Sequence, residues 1–208
     1  MATECKSPRY TMKIHYQEDN NHALLIFIPG VSGGIVSEKY AEFMAQALSH
    51  GYDFLGIQGW EDGSDFGKRN LLELINEIEH VVRAHSKKYR EIMLVGKSIG
   101  GTLALFVKNK KLSRKVLWAP YLSIQMTKRR PITVDEIIEK GIPSSILERM
   151  NTPTTIIHGN KDNVASLKVS RMLAGILPDA ALITMIGANH SFTHHQKNLF
   201  RKTFSSSE

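Results

Sequence analysis

Apolar positions along this chain fall into short compact runs and longer stretches of helical spacing, in near-regular alternation. Residues 10–16 alternate enough to predict an early strand. Residues 23–29 form an unbroken apolar run ended by Pro29-Gly30, the look of a strand buried on both faces. Ser37 then offers an N-cap, with Tyr40, Phe43, Met44 and Ala47 at helical spacing up to Gly51. A strand is expected at 54–57, followed by a loop rich in Gly, Asp and Ser. The clearest helix comes next: Leu71, Leu74, Ile75, Ile78 and Val82 recur along one face. Beyond it the pattern predicts strands at 92–95, 116–119, 154–158 and 181–186, and helices at 102–108, 164–176 and 192–204.

Strands alternating with helices predict an α/β fold, with a mostly parallel central sheet covered by helices on both faces. Sheets of that kind carry their reactive groups in loops at the carboxyl ends of the strands. One stretch breaks the rhythm. Residues 121–151 hold Ile137-Ile138 and Ile146-Leu147 amid charges, with Pro131 and Pro143, and read as one or two short helices. A small lid over a site and a plain crossover connection both fit.

With 208 residues, 42% apolar and 23% charged, the chain has the size and composition of one globular domain, 1–208. No apolar run approaches the roughly 18 residues of a membrane-spanning helix. The first residues lack the apolar core of a signal peptide, and one cysteine, Cys5, allows no intramolecular disulfide. A reducing compartment, the cytoplasm, is therefore expected. Cys5 sits in a polar leader with no evident base beside it, so it does not read as a nucleophile. Lysine and arginine outnumber acids 27 to 20, a net charge of +7. The basic residues are spread over 87–88, 108–111, 128–130 and 201–202, without the interleaved aromatics that single-strand binding requires. They read as solvated surface charge, leaving room for an anionic small-molecule substrate, and no nucleic-acid partner is expected.

The chemistry concentrates at Ile92-Met93-Leu94-Val95-Gly96-Lys97-Ser98-Ile99-Gly100-Gly101-Thr102. A buried strand runs into Gly-x-Ser-x-Gly and a helix follows, the sequence form of a nucleophile elbow. The turn is so sharp that only small residues fit two positions either side of the nucleophile, and Gly96 and Gly100 fill those places. Ser98 would emerge beside a helix N-terminus, whose partial positive charge favours an anion.

A serine hydroxyl needs a base, and the base needs orientation. Asp162 lies in His158-Gly159-Asn160-Lys161-Asp162-Asn163, after a strand and before a helix; His190 lies in Gly187-Ala188-Asn189-His190-Ser191, in the same kind of place. Their chain order after Ser98 is the one this elbow chemistry uses. Asp162 alone would also suit an N-cap. Asp62 and Asp65 precede the elbow and break the order. His194 and His195 fall inside the last helical pattern and read as its solvated face, and His158 reads as a packed, hydrogen-bonded residue. A fourth signal is Phe27-Ile28-Pro29-Gly30-Val31-Ser32-Gly33-Gly34, a glycine-rich loop leaving a buried strand. Its Val31 amide, with that of Ile99, is expected to bind the oxyanion of a tetrahedral intermediate. Phosphate binding is disfavoured, because neither a Gly-Lys-Ser/Thr ending nor a dinucleotide pattern follows.

In these residues the chain resembles the α/β-hydrolases, specifically small single-domain members close to dienelactone hydrolases and carboxylesterases. The resemblance runs from about residue 10 to 204, through Pro29-Gly30-Val31, Gly96-Lys97-Ser98-Ile99-Gly100, His158-Gly159 with Asp162, and His190. It implies a triad of Ser98, Asp162 and His190 acting on an ester or thioester, with no metal or organic cofactor. Two positions depart from it: many members have His-Gly at Pro29-Gly30, and Lys97 is an unusual neighbour for the nucleophile. A lysophospholipase or peptidase on the same scaffold is one alternative, and a non-catalytic binding protein that keeps the fold is another.

Overall fold

The computed structural model describes residues 2–6, 11–32, 34–35, 38–62, 65–66, 71–121, 124–127, 130–132 and 150–205. Ten strands and five helices are formed among them: β1 Ala2–Lys6, β2 Thr11–Gln17, β3 Ala23–Ile28, α1 Glu38–Ser49, β4 Tyr52–Gln58, α2 Leu71–Ser86, β5 Glu91–Lys97, α3 Ile99–Phe106, β6 Leu112–Trp118, β7 Ile124–Thr127, β8 Arg130–Ile132, β9 Thr154–Gly159, α4 Leu167–Ile176, β10 Ala180–Met185 and α5 Gln196–Phe204. Eight strands make one sheet in the order β1-β2-β4-β3-β5-β6-β9-β10. From β4 to β10 all neighbours are parallel, whereas β2 runs antiparallel to both β1 and β4. The predicted mostly parallel sheet is therefore present.

The central strands read as unbroken apolar runs because both faces are buried. Along β3, Leu24, Ile26 and Ile28 enter a core shared with α2, α3 and α4; Leu25 and Phe27 enter the opposite core, shared with α1 and α5. The second core is aromatic. The Phe27 ring lies tilted against Tyr40 and Trp118, with centroids 4.6 and 5.5 Å away, and Phe43 lies edge-on to Trp118 at 4.6 Å. Offset and edge-on geometry of this kind adds about 0.5–1.5 kcal/mol per pair beyond area burial.

Polar groups tie down the amino ends of the strands. The buried Asp53 carboxylate on β4 accepts from the Asp19 and Asn21 amides at 2.9 and 3.1 Å and from Tyr89 Oη at 2.7 Å. Burial pushes this carboxyl up, but the hydrogen bonds from Tyr89 and the two amides outweigh it and hold the group below the usual carboxylate range. Tyr16 Oη in turn bonds Tyr89 Oη. Two lysines serve helix carboxyl ends. Lys115, wholly buried on β6, donates to Leu105 O of α3 at 2.6 Å, and Lys111 donates to Ser86 O at the end of α2 at 2.8 Å. Part of the positive surplus is thus structural rather than solvated.

Several boundaries differ from those expected. The helix expected at 102–108 begins at Ile99, directly on the elbow. That expected at 164–176 begins only at Leu167, because the amides of Val164 and Ala165 bond to Asp162 Oδ1 instead of a helical turn. That expected at 192–204 begins at Gln196, since Phe192 and His194 take left-handed backbone angles of φ 54° and 62°. His194 and His195 accordingly precede the helix rather than lie on its face. Within 121–151, Ile124–Thr127 and Arg130–Ile132 pair antiparallel as β7 and β8, an element the hydrophobic pattern does not predict. Ile137-Ile138, Ile146-Leu147, Gly33 and the Ser37 cap lie outside the described residues. Strand β1 was not anticipated at all.

Candidate active site

The carboxyl ends of β5, β9 and β10 open on the same edge of the sheet, and each delivers one candidate side chain. Ser98 follows β5 directly, with φ 54° and ψ −120°. A non-glycine residue in that region carries of order 1–3 kcal/mol of strain, which persists only where the surroundings hold it. Here they do. The Ser98 amide donates to Trp118 O at 2.8 Å, and Ser98 O accepts from Gly101 N at 3.0 Å and Tyr121 N at 3.1 Å. Thr102 Oγ1 bonds Tyr121 O, closing the clamp between the elbow and the end of β6. A Cβ at Gly96 would stand 2.6 Å from the Gly100 carbonyl carbon, and one at Gly100 would stand 2.7 Å from that of Ile28. Both glycines are therefore sterically required.

Ninety-two positions along the chain from Ser98, His190 places Nε2 3.0 Å from Ser98 Oγ, and its Nδ1 lies 2.7 Å from Asp162 Oδ2. The Asp162 side chain is fully buried and that of His190 is 15% exposed. Asp162 closes a turn and orients at once. Its Oδ1 accepts from the amides of Val164 and Ala165, each at 2.8 Å, leaving Oδ2 for histidine. The loops carrying the two residues are stitched together by Asn160 N to Met185 O at 3.1 Å, Lys161 N to Ala188 O at 2.9 Å and Gly187 N to Asn160 Oδ1 at 2.7 Å.

The glycine loop after β3 lies over the serine: a Cβ at Gly30 would be 3.3 Å from Ser98 Cβ and 4.0 Å from its Oγ. Val31, next in the chain, packs against the α2–α3 core, and Ile99 opens α3. The arrangement brings Ser98, His190 and Asp162 into one hydrogen-bonded series, with the loop of Val31 above it. Lys97 points the other way; it is buried beside a cavity lined by Tyr40, Trp118, Phe192 and Phe200.

His158 has more to do than packing. It is fully buried, with Nε2 3.1 Å from both Ala165 O and Asp162 Oδ2 and Nδ1 2.7 Å from Ser170 Oγ. Burial is the largest influence and pushes this imidazole below the usual histidine range. The four-residue spacing between His158 and Asp162 was the available sequence signal for that contact. Among the described residues, no group of three or more His, Cys, Asp or Glu side chains is placed to hold a metal ion. Among them, too, no helix is long and apolar enough to cross a membrane.

No protein-family model matches the sequence, and no curated protein matches it by sequence similarity. Solved structures match at full length. Est1E from Butyrivibrio proteoclasticus, in a form with ferulic acid bound, superposes with a TM-score of 0.77 at 15% identity, over 97% of this chain and 96% of its own. Alpha/beta hydrolase domain-containing protein 10 from mouse gives 0.71 at 17% identity, over 97% and 96%. The thioesterase domain from the curacin biosynthetic pathway gives 0.72 at 13% identity, over 99% of both chains. With its strand order, its elbow at the end of β5 and these superpositions taken together, the chain has the α/β-hydrolase fold.

Proposed function

We propose that this chain is a single-domain, cytoplasmic serine hydrolase that cleaves small carboxylic esters or thioesters through an acyl-enzyme on Ser98. The observation that carries the reading is the series Ser98 Oγ, His190 Nε2, His190 Nδ1, Asp162 Oδ2, joined at 3.0 and 2.7 Å. His190 Nε2 takes the hydroxyl proton as Ser98 Oγ attacks the carbonyl carbon, and Asp162 holds the Nδ1–H tautomer and stabilises the imidazolium. The amides of Val31 and Ile99 receive the oxyanion; such a donor is worth about 3 kcal/mol of barrier. The imidazolium then protonates the leaving alcohol or thiol. Water, deprotonated by the same imidazole, attacks the acyl group and frees Ser98.

Exposed apolar side chains stand on loops at the same edge of the sheet: Tyr121 after β6, Val164 after β9 and Ile186 after β10. They suit a substrate with an apolar portion. The test is Ser98→Ala. Hydrolysis of a short p-nitrophenyl ester should fall by on the order of 10⁴-fold or more, and labelling by a fluorophosphonate probe should stop, with the circular dichroism spectrum unchanged. Turnover retained in the variant would remove Ser98 from the mechanism.

A further inference from the structure

We propose that His158 is a positioning residue for the catalytic base: a neutral imidazole that shares its Nε2–H between the Ala165 carbonyl and the same Asp162 oxygen that holds His190. The inference rests on the hydrolase reading above and adds a residue to it. Both partners of His158 Nε2, the Ala165 carbonyl and the Asp162 carboxylate at 3.1 Å each, are acceptors only, so that nitrogen must carry a proton. The Ser170 hydroxyl, buried on α4, lies 2.7 Å from Nδ1 and can either give or accept. Burial disfavours the charged ring, so Nδ1 accepts and Ser170 donates. One tautomer suits all three neighbours, with the Nε2–H shared between two oxygens.

The consequence falls on Asp162. Three hydrogen bonds, from Val164 N, Ala165 N and His190 Nδ1, together with the His158 Nε2–H facing Oδ2 at 3.1 Å, occupy both oxygens. The carboxylate is thereby fixed in its plane, and so is the direction in which it holds the His190 ring toward Ser98. The second donor on Oδ2 also draws off part of the negative charge that His190 feels. Packing does not require an imidazole here. Ile156 and Ile157 fill neighbouring positions of β9 with hydrocarbon, whereas a buried imidazole costs desolvation that only its hydrogen bonds return.

Two variants and one spectrum test this. His158→Phe keeps a ring and removes the donor, while His158→Gln keeps a donor near the Nε2 position. With p-nitrophenyl acetate, the Phe variant is expected to lose about tenfold to a hundredfold in kcat with KM little changed. The acidic limb of its kcat/KM–pH profile should move to higher pH, because a carboxylate relieved of one donor holds the imidazolium more strongly. The Gln variant should recover most of the rate and return the limb. Activity that falls only in step with melting temperature, with an unmoved limb, would overturn the proposal. Should the Phe variant fail to fold, Ser170→Ala removes the donor to Nδ1 and should shift the limb the same way by less. Independently of turnover, ¹H–¹⁵N correlation of the ring nitrogens in the wild-type chain should find His158 neutral and protonated at Nε2. A proton on Nδ1 alone, or a charged ring, refutes the proposal. A wild-type chain inert to ester and probe but with the Nε2 tautomer counts against the hydrolase reading alone.

Discussion

A single methyl group at residue 100 tests whether the elbow is as tightly determined as its contacts indicate. In Gly100→Ala the new Cβ would stand 2.7 Å from the Ile28 carbonyl carbon, with the Ile28 and Pro29 carbonyl oxygens closer still. Ordinary contact begins at 3.4 Å, so the shortfall is at least 3.4 − 2.7, about 0.7 Å. Every obstructing atom is backbone at the end of β3, which is locked between β4 and β5, so the first turn of α3 must yield instead. Overpacking of this kind costs about 1–3 kcal/mol of stability. The functional effect is larger. Moving Ser98 by a comparable distance stretches its 3.0 Å contact with His190 beyond hydrogen-bonding range, and a misplacement of about 1 Å costs on the order of a hundredfold in rate. Urea melts give the first quantity, and the second-order rate of fluorophosphonate labelling gives the other. A variant within about 0.5 kcal/mol of wild type that labels at the wild-type rate would refute the steric account.

Two further outcomes test the scaffold. Phe27→Ala removes the ring that touches Tyr40, Phe43, Phe54 and Trp118 and should destabilise by about 3–5 kcal/mol in denaturant melts; a loss below about 1 kcal/mol would mean that the cluster collapses to fill the gap. Asp53 predicts a pH dependence. Its folded carboxyl lies below the unfolded range, so its contribution is complete above about pH 3.9 and is lost as pH falls through the folded value. Stability should therefore drop on acidification below that point, and Asp53→Asn should flatten the drop while costing about 1–3 kcal/mol at neutral pH. An unchanged acid slope in the variant would assign the acid sensitivity to other groups.

Local rules made much of this protein readable. The apolar runs that became β3 and β5 are continuous because both sheet faces are buried, and that condition writes itself directly into composition. Gly96 and Gly100 stood out because the turn between them admits nothing larger. The chain order of Ser98, Asp162 and His190 was legible because each sits just beyond a strand. Where reading by periodicity failed, side chains had taken over backbone bonds. Asp162 Oδ1 holds the amides that would have started α4 early, and the left-handed Phe192 and His194 delay α5. The polar edge strand β1 shows in its backbone pairing with β2, a signal that hydrophobic patterning does not carry.

The sequence by itself determined the alternation of strands and helices, the sharp turn at Ser98 and the types of side chain available to serve it, because each depends on neighbours a few positions away. Only the tertiary structure decided that Asp162 closes a turn and orients His190 together, that His158 lies against the same carboxylate, and that Lys115 lies buried beneath a helix end. Those outcomes depend on which acceptors remain unfilled once distant segments have packed. Chain proximity does not encode that count; closure of the sheet does.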